Sequence, residues 1–242
     1  MGRIRVKFPD SKVVLIFLFV VVAAGLILNI TSERTFGVFW FYAPLSGRTI
    51  VIDPGHGGID GGAYHSDGTL EKHINLSVAL KLKSALERNG AKVVLTRTKD
   101  EALDHRNNKS KSRHRRDLIA RADIINEVNP HVYISLHVNA EKNSPATRGP
   151  MVFYYQSSQE SRRLAELIQA RLEEVYQSAG QKVRKRNPNP NSTLFLLCNT
   201  RPPGVIVELG FITNESDRRL LKNPDFQSKL ADAIAMALRE YF

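Results

Sequence analysis

The chain has 242 residues, a formal net charge of +11 and 42% hydrophobic residues, which suits one sizeable domain preceded by an N-terminal segment. Its single cysteine, Cys198, excludes an intramolecular disulfide and any cysteine-based metal cluster, so a metal site must draw on histidine and carboxylate. The basic balance fits an anionic partner or simple solubility; no helix-turn-helix, finger or RNA-binding motif accompanies it, and nucleic acid is not expected as a partner.

Val13–Ile30 is apolar apart from Gly25 and Asn29. As a helix it spans roughly 27 Å, close to a hydrocarbon core of about 30 Å. Arg3, Arg5, Lys7 and Lys12 precede it, and only Glu33 and Arg34 are charged just after it. The positive-inside rule then puts the N-terminus in the cytoplasm and the rest on the extracytoplasmic side. A cleaved signal peptide is the competing reading, but its apolar core is usually shorter and ends in a small-residue site that is not evident here. Phe36, Phe39, Trp40, Phe41 and Tyr42 suit either a membrane interface or an apolar strand packed on the domain. With a short linker after them, the expected organisation is a basic tip, anchor and linker over 1–46 and one folded domain over 47–242, which must carry any chemistry the chain performs.

From Thr49 onward strands and helices alternate. Strands are expected over Thr49–Asp53, Lys92–Thr96, His131–Leu136, Met151–Tyr155 and Gly204–Leu209. Helices are expected over Glu71–Asn89, stopped by Gly90, over Asp117–Val128, over Ser158–Ser178, and from Asn223-Pro224 to Tyr241. The basic stretch Arg106–Arg121 reads as an exposed loop in its first part, a solvated charge run or a contact surface. Lys182, Arg184, Lys185 and Arg186, before Asn187-Pro188-Asn189-Pro190, read as a mobile loop near the site. The alternation implies an α/β fold, with a sheet covered by helices on both faces.

The chemistry concentrates in a few stretches. Val51-Ile52-Asp53-Pro54-Gly55-His56-Gly57-Gly58 reads as a strand delivering His56 onto a tight, open loop. Glu71 opens a helical pattern; His137 follows an apolar strand; Glu208 follows Val205-Ile206-Val207. Two imidazoles and a carboxylate are a common zinc set, and a spare glutamate can serve as general base. Alone, each has a plainer reading: His56 packing in a loop, Glu71 complementing a helix dipole, His137 hydrogen-bonded in the core, Glu208 in an ion pair. A buried, unpartnered glutamate after Val-Ile-Val would be costly, which singles out Glu208. Asp53 and Asn139 either orient a ligand or shape turns. Asp60, Asp67, His65, His73, His105, His114 and His131 are expected in loop, surface or core roles.

Ile52–Gly58, Leu70-Glu71-Lys72, Leu95-Thr96-Arg97-Thr98, Ile134–Ala140 and Val207–Asn214, in that order, resemble the zinc-dependent N-acetylmuramoyl-L-alanine amidases of the type 3 cell-wall family. The resemblance covers roughly Gly47 to Phe242. It implies a mostly parallel, twisted sheet of about six strands, a Zn2+ ion held by His56, Glu71 and His137, Glu208 as catalytic residue, and peptidoglycan as substrate. Leu194–Leu197, then Pro203-Gly204-Val205, with a short anchored N-terminus and no wall-binding repeats, is similar to the germination-specific amidases of spore formers. That implies cortex maturation, muramic lactam formation and germination, in the forespore intermembrane space. A vegetative autolysin, a zinc peptidase on non-wall peptides and a non-catalytic wall binder are the alternatives, and an activating protein partner is left open.

Overall fold

The structure, a computed structural model, describes residues 12, 15, 18–23 and 43–242. Two compact units divide the chain, Met1–Ala43 and Pro44–Phe242, and the fold below is that of the second. Most of the expected anchor Val13–Ile30, and all of the aromatic run Phe36–Tyr42, lie outside the described residues. Among the described residues, no helix is long and apolar enough to cross a membrane.

Six strands form one sheet: β1 (Thr49–Pro54), β2 (Lys92–Leu95), β3 (Val132–Asn139), β4 (Met151–Tyr155), β5 (Asn189–Asn191) and β6 (Gly204–Phe211). Their order is β2-β1-β3-β6-β4-β5. All neighbouring pairs are parallel except β4 with β6. The helices are α1 (Glu71–Arg88), α2 (Arg113–Val128), α3 (Gln159–Ser178), α4 (Phe195–Asn199), α5 (Glu215–Leu221) and α6 (Pro224–Tyr241), with a short 3₁₀ turn at Asp104–Arg106.

Strand periodicity decides the two faces, because successive side chains point to opposite sides. Ile50, Ile52, Ile134, Leu136, Val205 and Val207 join the larger core, against residues of α1, α3 and α6. Val51, Tyr133 and Ile206 turn the other way and join a smaller core with Ala122 and Ile125 of α2 and Leu196 and Leu197 of α4. In α1 the apolar positions Ile74, Val78, Leu82 and Leu86 fall at helical spacing and are buried. Each full burial of this kind contributes about 1.5–3 kcal/mol. Gly90, at φ 88°, ends α1. Its N–H bonds the Glu87 carbonyl and the next N–H, of Ala91, reaches Leu86, the two hydrogen bonds of a Schellman cap.

Several boundaries differ from expectation. β3 runs on to Asn139 and β6 to Phe211, so His137 is a paired strand residue rather than one beyond the strand end, and Glu208 lies within its strand as expected. The reason is mutual: His137 is opposite Glu208 and Asn139 opposite Phe211, with a bulge between the pairs. α2 begins at Arg113, four residues early, because the Ser112 hydroxyl accepts the Arg115 N–H as an N-cap. The expected loop over Lys182–Pro190 ends in an edge strand, β5, where Pro190 is tolerated because only one side needs pairing.

Candidate active site

The loop after β1 is fixed by two buried guanidinium groups. Arg97 donates to the Pro54 and Gly55 carbonyls at 2.9 Å each. Arg121 donates to the Pro54 carbonyl at 2.8 Å and the His56 carbonyl at 2.7 Å. Arg121 is only 2% exposed, so it is no part of a solvated basic run. It is neutralised by Asp53 at 2.7 Å and Asp117 at 2.6 Å. Asp53 also accepts the Thr96 and Ser135 hydroxyls. Burial raises the Asp53 carboxyl, but Arg121 and these hydroxyls outweigh it and hold it below its ordinary value. Asp53 therefore braces the loop through Arg121. Asn139 caps its own turn, its side-chain oxygen accepting the Ala140 N–H.

The braced loop presents His56 in the left-handed region, at φ 60°. At Gly55 a Cβ would stand 2.3 Å from the His137 ring, so only glycine lets the two elements approach. The His56 ring meets the His137 ring edge-on, centroids 5.0 Å apart. Glu71, at the N-terminus of α1, lies between them: its Oε1 is 3.3 Å from His56 Nε2 and 3.0 Å from His137 Nδ1. The Ala63 and Val138 N–H groups fix the Glu71 carboxylate at 2.7 and 2.9 Å. One ligating atom from each of His56, Glu71 and His137 lies within 4.8 Å of the other two.

This donor set fits a zinc ion: two imidazole nitrogens and one carboxylate oxygen, on three separate segments, around one point. The electrostatics agree. Burial pulls His56 down, but Glu71 and Asp60 outweigh it and lift it to about 9. Burial likewise pushes Glu71 up, yet the two histidines hold it far below the carboxylate range. The cluster thus favours positive charge. Asp60, expected as a mere loop residue, accepts from His56 Nδ1 at 3.0 Å, leaving Nε2 to face the site. A carboxylate behind a ligating histidine sets its tautomer and orientation. The interval of four residues inside a glycine-rich turn was the available signal for it.

Glu208 stands opposite His137 in the sheet register. Both side chains leave the α2 side of the sheet, the side to which Ile206 points. One Glu208 oxygen is buried and has no hydrogen-bond partner among the described residues. Burial raises its carboxyl to about 7, with His137 and His56 lowering it and Glu71 raising it. A carboxylate so poised can accept and return a proton near neutral pH. A cleft of about 240 Å³ joins His56, His137 and Glu208; the Leu194–Leu196 stretch and His114 of α2 form part of its wall. Arg115 lies over the Phe195 ring at 4.1 Å, steadying that wall. His65, His73, His105 and His131 line no part of it.

The pattern of the N-acetylmuramoyl-L-alanine amidase family matches residues 50–240. The chain belongs to this family. Its activity is N-acetylmuramoyl-L-alanine amidase activity, hydrolysis of a peptidoglycan amide. The amidase is 36% identical over 200 residues to the germination-specific N-acetylmuramoyl-L-alanine amidase of Bacillus subtilis, covering 82% of this chain and 81% of that one. It is 35% identical over 204 residues to the amidase LytC of the same organism, covering 82% of this chain but 36% of LytC. Among solved structures it resembles the CwlD amidase of Clostridioides difficile, determined in complex with the GerS lipoprotein. That match has a TM-score of 0.73 and 35% identity, and it covers 81% of this chain and 98% of the other. The mostly parallel six-stranded sheet of the amidase agrees with this likeness.

Proposed function

We propose that the chain is a zinc-dependent amidase of the spore cortex, in which His56, Glu71 and His137 hold the metal and Glu208 is the general base. The observation that carries the reading is the convergence of those three ligand atoms within 4.8 Å, beside a cleft that His56, His137 and Glu208 line, with one Glu208 oxygen buried and without a partner among the described residues. Zinc bound there supplies Lewis acidity, acidifying a water and polarising the amide carbonyl. Glu208 accepts the proton of the attacking water and passes it to the departing amine of L-alanine. Asp60 keeps His56 oriented, and Arg97 and Arg121 keep its loop from shifting. The Leu194–Leu196 wall shields the reacting carbonyl from bulk solvent.

The test is digestion of purified sacculi. Free stem peptides with an N-terminal L-alanine are the expected product. Chelation should abolish their release, and added zinc should restore it. Peptides cut elsewhere would overturn the bond assignment, and full activity in excess chelator would overturn the metal.

The likeness to the germination-specific amidase, 36% identical over 200 residues, supports the cortex reading. A deletion strain is expected to grow normally and form spores whose cortex lacks muramic lactam. Chained vegetative cells with normal cortex would assign a vegetative role instead. The resemblance to an amidase solved with a lipoprotein supports a lipoprotein-type protein partner.

For location, the proposal is that 1–46 forms a cytoplasmic basic tip, a retained membrane anchor over Val13–Ile30 and a linker, with 47–242 as the catalytic domain on the extracytoplasmic side. The apolar run and the preceding Arg3, Arg5, Lys7 and Lys12 support it. N-terminal sequencing of the mature protein should return an uncleaved terminus; a new one just after Ile30 would make the enzyme secreted.

A further inference from the structure

A second cleft, of about 680 Å³, opens beside β4, lined by Arg148, Met151, Lys182, Arg184, Lys185 and Arg186 among others. Five of its lining residues are cations and none is acidic. Some surface cations find carboxylates, as Lys109 does at Asp123 and Arg162 at Glu166. Among the described residues, none of these five forms such a pair. The carboxylates behind the cleft are engaged with backbone instead: Glu173 accepts the Arg186 N–H at 2.8 Å, and Asp217 accepts the Gly149 and Phe211 N–H groups at 2.8 Å each. Arg186 itself is held in place, donating to the Arg148 carbonyl at 2.8 Å. The charges of Arg148 and Arg186 reach Asp217. Lys182, Arg184 and Lys185 have no such counterpart and stand exposed. Like charges gathered in a concave surface repel one another and attract an anion.

The position of the cleft says which anion. Met151, in its lining, is the register partner of Glu208. The two side chains therefore leave the same face of the sheet one strand spacing apart, about 4.8 Å. Glu208 lines the reaction cleft. An extended peptide advances about 3.3–3.6 Å per residue, so a chain leaving the scissile amide arrives among the cations within a few residues. The two halves of the substrate differ in charge: the glycan is neutral, whereas the stem peptide carries carboxylates beyond its L-alanine.

We propose that this cleft is the subsite for the stem-peptide carboxylates, and that Lys182, Arg184 and Lys185 select a carboxylated over an amidated peptide. The inference rests on the amidase reading above. Charge-assisted contacts to a carboxylate are stronger than neutral ones, and a carboxamide forfeits that advantage.

The test compares two substrates of the full-length enzyme, a muramoyl tripeptide with free carboxylates and the same compound with them converted to carboxamides. The wild type should prefer the carboxylated form in kcat/KM by about tenfold, mainly through KM, and lose the preference at high salt. The Lys182→Gln, Arg184→Gln, Lys185→Gln triple variant changes only exposed side chains, and its preference should shrink to less than about twofold. Calorimetry with the free stem tripeptide should show the same loss of affinity in the variant without any turnover. A wild type that treats both substrates alike, or a variant that keeps the preference, overturns the subsite. So does a variant that keeps the preference but no longer binds walls bearing a phosphodiester polymer, which would give the cleft to that polymer. If the wild type cleaves neither compound, the amidase reading fails, and the calorimetric comparison still judges the cleft.

Discussion

Replacing Glu208 by glutamine should leave the fold and the metal content unchanged and lower turnover by about 10²- to 10⁴-fold, the usual effect of losing a general base. Glutamine is nearly isosteric, so the tight surroundings on β6, with Val207 and Leu209 fully buried, are not disturbed. It also removes a costly feature. One Glu208 oxygen is buried without a partner, and burial raises its carboxyl to about 7. A neutral amide there carries a smaller desolvation penalty, so the variant should melt no lower than the wild type. Falling activity with unchanged or higher Tm and full zinc content is the expected result. Near-normal turnover of the zinc-loaded variant would remove Glu208 from the mechanism.

The largest stability effect should come from Arg121→Met. This change takes the partner from a fully buried Asp53 and a nearly buried Asp117. Removing one member of a buried ion pair costs about 3–5 kcal/mol, because the charge left behind stays desolvated. The pH dependence should also reverse. With Arg121 present the Asp53 carboxyl lies below its ordinary value, so its contribution to stability is full above about 3.8 and is lost as pH falls through the depressed value. Without Arg121, burial is opposed by the Thr96 and Ser135 hydroxyls and the charge of Arg97, without the direct ion pair. The Asp53 carboxyl then rises, the folded state binds the extra proton, and the deficit shrinks as pH falls. Chemical denaturation at pH 7 and at mildly acidic pH checks both parts. A deficit that does not change with pH would mean that packing of the long side chain, not its charge, is what Arg121 supplies. Because Arg121 also holds the Pro54 and His56 carbonyls, weaker zinc binding should accompany the lost stability.

Much of this was visible in the chain. Five strands and four helices followed from runs of β-branched residues, apolar residues at helical spacing, Gly90 and Asn223-Pro224, all of which act over a few neighbouring residues. The four residues of the proposed chemistry stood out because local sequence exposes them, His56 among glycines and Glu208 after an apolar run. Their convergence was implied only by the resemblance. What escaped was set by partners far away in the chain. Arg121 looked like one more cation of a basic run, yet it pairs with Asp53, 68 residues earlier. Asp60 gained a role only when the loop curled back to bring it to His56 Nδ1. The short strand β5 formed because β4 offered an unpaired edge. Composition and short-range pattern thus determined the α/β class, the longer strands and helices and the identity of the reactive side chains, since those depend on local backbone preference and periodicity. The register that sets His137 opposite Glu208, the burial that raises Glu208 and the clamp on the His56 loop were decided only by the tertiary structure. Those properties belong to groups that share a volume and exclude water, and proximity in space is not written in proximity along the chain.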